Sequence, residues 1–247
     1  MMNHYSLRWL WLALIFGIPI LFILMPLTTF LLYGFWEVKE GEIITDFSLK
    51  NYLDFVTNES YRQVFLSTLT LALQVTLINL LLGYAVAYFI AHRRGSLKYL
   101  LILAVIVPLL MSYIIKIYAI RGLLGTKGLL NQFLMLIGVL SEPSDLFLFN
   151  LTAVLITLSI VLLPFTILPI FIALERIPTN LAAASADLGG NAWHTFRYVT
   201  LPLSLPGTVV GVMFVFVLAL GDFLVPQLVG GTRGFTYGRL VFSQFGM

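Results

Sequence analysis

Charged and titratable side chains are the ones with chemistry to offer. Here they are scarce: 11 acids, 14 lysines and arginines, and three histidines among 247 residues. His4, His92 and His194 each lie in or beside a polar segment. No H-E-x-x-H string or pair of carboxylates on one helix face accompanies them, so neither a bound metal nor general acid–base work is expected. Cysteine is absent, which removes thiolate ligands and disulfides. No loop of the form G-x-x-x-x-G-K-S/T occurs to wrap phosphates; Gly125-Thr126-Lys127 and the run from Gly95 to Lys98 lack the spacing. No catalytic residue, metal ligand or cofactor site is therefore expected, and the chain is not expected to be an enzyme. Two places remain where polar chemistry meets apolar sequence. One is the stretch 180–206 with Asp187, His194 and Arg197, and the other is Asp222, a lone carboxylate in an apolar run.

The first needs a scaffold that presents it to water. Leu181, Ala184 and Leu188 fall on one helix face, and Trp193, Phe196 and Val199 repeat every three residues after Gly189-Gly190. The pattern predicts two short helices joined by a glycine elbow, with Asn180 and Asn191 as caps and Pro202 closing the second. Flanked by apolar runs, such a unit reads either as a docking surface or as an ordinary interhelical loop that happens to be helical. For Asp222, a rise of about 1.5 Å per residue from Pro206 places it roughly 24 Å along a span, in its outer third. A charge costs roughly 2.5–3.5 kcal/mol at the centre of a span and less towards an interface, so something offsets it. Water at the interface, a structural pair with Arg233, or a cation passing by would each do so.

With 60% hydrophobic and 10% charged residues and a mean hydropathy of +1.00, against about 25% charged in soluble domains, the chain is an all-α polytopic membrane protein. Its net charge of +3 is not gathered into a stripe, so nucleic acid is not an expected partner and the surplus reads as an orientation signal. Five spans are expected, at 10–36, 65–91, 99–120, 146–174 and 206–226. The first stays in place, being far longer than the apolar core of a cleaved leader. His92, Arg93, Arg94 and Lys98 crowd the short loop after the second span and put it in the cytoplasm. That sets the N-terminus with Arg8 inside, the loop 37–64 with Glu37, Glu40, Glu42, Asp46, Asp54 and Glu59 outside, and 177–202 inside. Ser48 is placed to cap a short amphipathic helix through Leu49, Tyr52, Leu53 and Val56. The uncharged run 128–140 is too short to cross about 30 Å of hydrocarbon and is expected on or dipping into the outer face. Gln74 and Asn79 are expected to bond neighbouring helices.

At 180–202 the chain resembles the permease subunits of binding-protein-dependent ABC importers. Their cytoplasmic signature runs Glu-Ala-Ala, three residues, Gly, nine residues, an aliphatic residue, one residue, Leu-Pro. Ala183-Ala184-Ser185, Gly189, Val199 and Leu201-Pro202 match it without a gap, with Ala183 in the acidic position and Ser185 in the third. The strings LLGTKGLLNQFLMLIGV, VLLPFTILPIFIALERIP and ALGDFLVPQLVGG are similar to the spermidine/putrescine branch, and the likeness covers roughly 48–245.

The resemblance implies a type I importer permease fold and a single transmembrane domain over 1–247. Relatives normally carry a sixth span, and nothing follows the QFGM at the end here, so that span is expected to be missing. It implies a multi-pass protein of the bacterial inner membrane. ATP would be hydrolysed on a separate ATPase present in two copies, beside a second permease, an extracytoplasmic solute-binding protein and membrane lipid. Ala183, Ala184, Ser185, Asp187, Gly189, Trp193, Phe196, Val199, Leu201 and Pro202 would couple to the ATPase, and Asp222 would line the path of a polyamine. A permease for an opine or ferric iron is the alternative. An ion-coupled secondary transporter is another, although neither repeats nor ionisable groups near the bilayer centre are evident.

Overall fold

The computed structural model describes residues 4–39 and 42–244; Glu40 of the acidic loop and the final residues 245–247 lie outside them. The chain divides into two units, Met1–Gln63 and Val64–Met247. In the first, α1 (His4–Tyr33) runs unbroken through Pro19 and Pro26, and its stretch Leu14–Tyr33 is long and apolar enough to cross a membrane. The polar loop after it holds an antiparallel hairpin, β1 (Glu37–Lys39) and β2 (Glu42–Ile44), followed by α2 (Lys50–Thr57). The hairpin was not legible in the hydropathy pattern. Ser48 does not cap α2, because Leu49 occupies that position. The Ser48 hydroxyl instead donates to the Glu37 carboxylate at 2.7 Å and accepts the Lys50 N–H at 3.2 Å.

The second unit is a bundle of long helices. α3 (Glu59–Ala91), which starts before this unit, is followed by α4 (Ser96–Leu110), α5 (Tyr113–Leu124) and α6 (Leu129–Leu136). Then come α7 (Leu151–Glu175), α8 (Asn180–Asp187), α9 (Ala192–Thr195) and α10 (Leu201–Gly221). Two short helices follow, α11 (Leu224–Val229) and α12 (Tyr237–Gln244). Among the described residues, four helices are long and apolar enough to cross a membrane, or five spans if α4 and the helices after it count as one broken span.

α7 is the centre of the bundle. Val154 and Leu158 join Leu71 and Val75 of α3, Ile117 of α5 and Val215 and Ala219 of α10 in one buried cluster. Its closest partner is α10, and glycines let the two backbones approach. A Cβ on Gly207 would overlap the Pro169 carbonyl oxygen and come within 2.6 Å of the Ala173 Cβ; one on Gly211 would lie 3.1 Å from Thr166. On the α3 side, Gly83 faces the Thr166 methyl at 2.8 Å by the same measure. Small residues at these crossings are what helix association in lipid requires, since lipid tails are as apolar as the helices.

Besides shifts at the ends of the first two spans, which lie at His4–Tyr33 and Glu59–Ala91, three spans differ from the sequence expectation. The span expected at 99–120 is broken: α4 ends at Leu110, Met111 and Ser112 are extended, and the chain resumes at a bend of 104°. Pro108 lacks the N–H that its last turn would use, which weakens the helix there. The span expected at 146–174 starts at Leu151 because Asn150 caps it, its side chain accepting the Ala153 N–H at 2.8 Å. The span expected at 206–226 begins earlier and ends at Gly221. Asn79 bonds the Val75 carbonyl of its own helix at 3.0 Å rather than a neighbour.

Candidate functional site

The stretch 180–206 folds as a helix, an elbow and a second helix that does not stop. α8 ends in a Schellman arrangement: the Gly189 N–H reaches the Ala186 carbonyl at 2.9 Å and the Gly190 N–H reaches the Ser185 carbonyl at 2.8 Å. Gly189 adopts φ +82°, a left-handed conformation that a side chain disfavours, although a Cβ there would touch nothing within 4 Å. Gly190 is glycine for another reason, since a Cβ there would sit 2.8 Å from the Ser185 carbonyl oxygen and 3.1 Å from His194 Nδ1. The elbow is tied across by the Ser185 and Thr195 hydroxyls at 2.8 Å. Asn191 caps the second arm, its side chain accepting the His194 N–H at 2.8 Å. Asn180 is the first residue of α8 and does not cap it; Thr179 holds the cap position without a side-chain bond.

Pro202 does not close the second arm. Helix runs from Ala192 to Gly221 through a π-helical turn at Phe196–Thr200, and the Leu201 N–H reaches back to the Phe196 carbonyl. That wide turn spends one extra residue, which lets Pro202 sit in the first turn of α10 without a missing bond. Phe196 wedges this arm against α3, edge-on to Tyr84 and Tyr88 at ring separations of 5.9 and 5.8 Å and stacked with Trp193 at 5.6 Å. The Tyr84 hydroxyl bonds Ser204 of α10 at 2.8 Å. Ser185 is buried, Phe196, Val199 and Leu201 are half-buried, and Ala183, Ala184, Asp187, Gly189, Trp193 and Pro202 are exposed. Leu188 is 90% exposed, so the elbow tip is an apolar side chain with nothing over it.

Asp222 stands at the other end of the same helix, as its C-cap rather than inside a span. One carboxylate oxygen accepts the Tyr113 hydroxyl, and the other accepts the Val225 N–H of the first turn of α11 at 2.8 Å. Arg233 is exposed and does not pair with it. The chain beyond folds back over this junction. Tyr237 N–H bonds the buried Thr68 hydroxyl at 2.8 Å, a Cβ on Gly238 would lie 2.8 Å from the Asp222 carbonyl, and Arg239 donates to the carbonyls of Gly231 and Pro226.

No protein-family model matches the chain. The spermidine/putrescine transport system permease protein PotB of Escherichia coli is 34% identical over 232 residues, covering 94% of this chain and 84% of that protein. The chain belongs to the ABC transporter permease family. PotB of Haemophilus influenzae is 35% identical over 94% of this permease and 81% of its own length. The inner membrane ABC transporter permease protein YdcU of Escherichia coli is 37% identical over 89% of this permease and 74% of its own length. The crystal structure of a bacterial ABC transporter involved in the import of the acidic polysaccharide alginate superposes with a TM-score of 0.74, at 18% identity, over 98% of this chain and 85% of that one. That likeness speaks for the fold.

The permease therefore carries its polar chemistry at the two ends of α10. Sequence reasoning missed Tyr84, Tyr88 and Tyr113, the aromatic residues that tie those ends to α3 and α5. The available signal was a tyrosine, with its one polar atom, inside an otherwise apolar run. Among the described residues, no group of three His, Asp or Glu side chains is close enough to hold a metal.

Proposed function

We propose that the chain is the permease subunit of a polyamine importer and that ATP hydrolysis on a separate ATPase drives it through residues 180–200. Residues 1–247 then form a single transmembrane domain with the N-terminus in the cytoplasm, in the bacterial inner membrane. The partners are two copies of the ATPase, a second permease and an extracytoplasmic solute-binding protein. The observation that carries the reading is the elbow: an apolar tip at Leu188 on a rigid turn whose second arm is continuous with a membrane helix. A push on that tip moves α10 without having to fold anything first. The polyamine assignment draws on the names of the relatives PotB. The polar contact normally made by an acidic first position is absent, because Ala183 stands there.

The chain has no cysteine, so Leu188→Cys introduces a single thiol. In membranes containing the co-expressed ATPase, a short bifunctional thiol reagent is expected to join the two chains, and uptake of labelled putrescine is expected to fall on joining. No crosslink at Leu188 or Trp193 positions would remove the docking role. Crosslinking in membranes that take up no putrescine before the reagent is added would leave the docking role and reject the solute.

A further inference from the structure

We propose that the cavity where the ends of α3, α4, α7 and α8 meet holds the phosphate of an anionic phospholipid headgroup. The cavity measures about 410 Å³, and His92, Arg93, Arg94, Lys98, Glu175 and Thr179 are among its lining residues. Glu175 is the only carboxylate there and is taken by Lys98, with which it forms an ion pair. Three permanent cations against one carboxylate leave two positive charges facing the space. Arg93 is held in place, its guanidinium 4.0 Å above the Phe89 ring, and Arg94 makes no ion pair among the described residues. Ala182, in the first turn of α8, adds a wall from a helix start that has no side-chain cap. A basic recess between membrane helices at the headgroup level is a site for an acidic lipid head.

The wall above the cavity favours a lipid over an acidic protein side chain. From Arg93, whose guanidinium lies over the Phe89 ring, the face of α3 carrying Phe89, Ala85 and Leu82 runs away from the cavity, and all three are exposed. A headgroup in the recess would lay its acyl chains along that apolar stripe, whereas a soluble carboxylate would have no use for it. Two helix ends, those of α3 and α4, would then be bridged through the phosphate to the end of α7 and the start of α8. The lipid would thus brace the arm that carries the proposed ATPase contact. The proposal rests on the permease reading only for which leaflet supplies the lipid.

The test is lipid retention by the purified permease complex, reconstituted in vesicles of phosphatidylcholine with and without phosphatidylglycerol and then followed by native mass spectrometry. Wild-type protein is expected to retain phosphatidylglycerol in preference to phosphatidylcholine, and the preference should fade at about 1 M salt. Arg93→Gln/Arg94→Gln should weaken retention roughly 30-fold, the equivalent of about 1 kcal/mol for each of two charges. Arg93→Lys/Arg94→Lys keeps the charges and the orientation signal, and should stay within about threefold of wild type. A wild-type preference unchanged by salt overturns the proposal without any variant. So does equal retention by the glutamine pair. If the glutamine pair keeps its lipid but loses the ATPase in pure phosphatidylcholine, the cavity is a protein contact and the lipid is rejected. None of these readouts depends on which solute is carried.

Discussion

The continuous helix Ala192–Gly221, which contains α10, is entered at its Ala192 end through a cap, a π-helical turn and an aromatic wedge, all written within about a dozen residues of one another. At its Gly221 end it stops on a carboxylate whose main partner, Tyr113, lies 109 positions earlier in the chain. Local chemistry builds the first end and tertiary chemistry the second. The contrast separates what a substitution should do: changes at the elbow should alter how motion is passed on, whereas changes at Asp222 should alter whether the fold holds together.

Asp222→Ala is expected to have the largest effect. It strips the acceptor from both the Tyr113 hydroxyl and the Val225 N–H, at a cost of about 2–4 kcal/mol, and should lower the heat resistance and membrane abundance of the purified complex. Asp222→Asn keeps an acceptor and removes the charge, so it sharpens the comparison. Loss of diamine uptake at unchanged abundance would give the carboxylate a role in the solute path, and loss of both together would leave it as a junction. Gly189→Val comes next. The strain of a β-branched residue at φ +82° is worth roughly 1–3 kcal/mol with no clash added. ATP hydrolysis should continue while uptake falls, and a wild-type ratio of the two would break the comparison. Ser185→Ala and Thr195→Val should each cost about 0.5–1.5 kcal/mol in thermal denaturation, and the double variant little more than either, since they remove the same bond. Tyr84→Phe is the smallest, at about 0.6 kcal/mol for one interhelical bond in lipid, and should leave uptake intact.

Much of this architecture was legible because lipid leaves few options. Apolar length located the long helices, and Gly189-Gly190 marked the elbow. Pattern failed where an exception to a local rule was stabilised by neighbours. Pro202 is a stop signal in water, but the turn before it absorbs the lost bond and the helix continues. α4 does end two residues beyond Pro108, and only the fold distinguishes the two prolines. Ser185 showed up in the sequence as a departure from alanine at the third position of the signature; in three dimensions it is the hydroxyl that closes the elbow. Asp222 was legible as a costly group and illegible as to its partner, because nothing in the spacing of residues 113 and 222 says that they meet.

The extra residue in the Phe196–Thr200 turn has a consequence for phase. Each residue in a regular helix advances the facing direction by about 100°, so a wide turn that takes up one additional residue leaves everything before it about that angle from where a regular helix of the same sequence would put it. Trp193 and Phe196 point where they do with respect to Gly207 and Gly211 because of that offset. Winding the same residues as a regular helix, with nothing deleted, would leave composition, length and hydropathy untouched, yet turn the aromatic wedge about a quarter-circle away from Tyr84 and Tyr88. The permease would then hold a rod of the same stiffness aimed at the wrong wall.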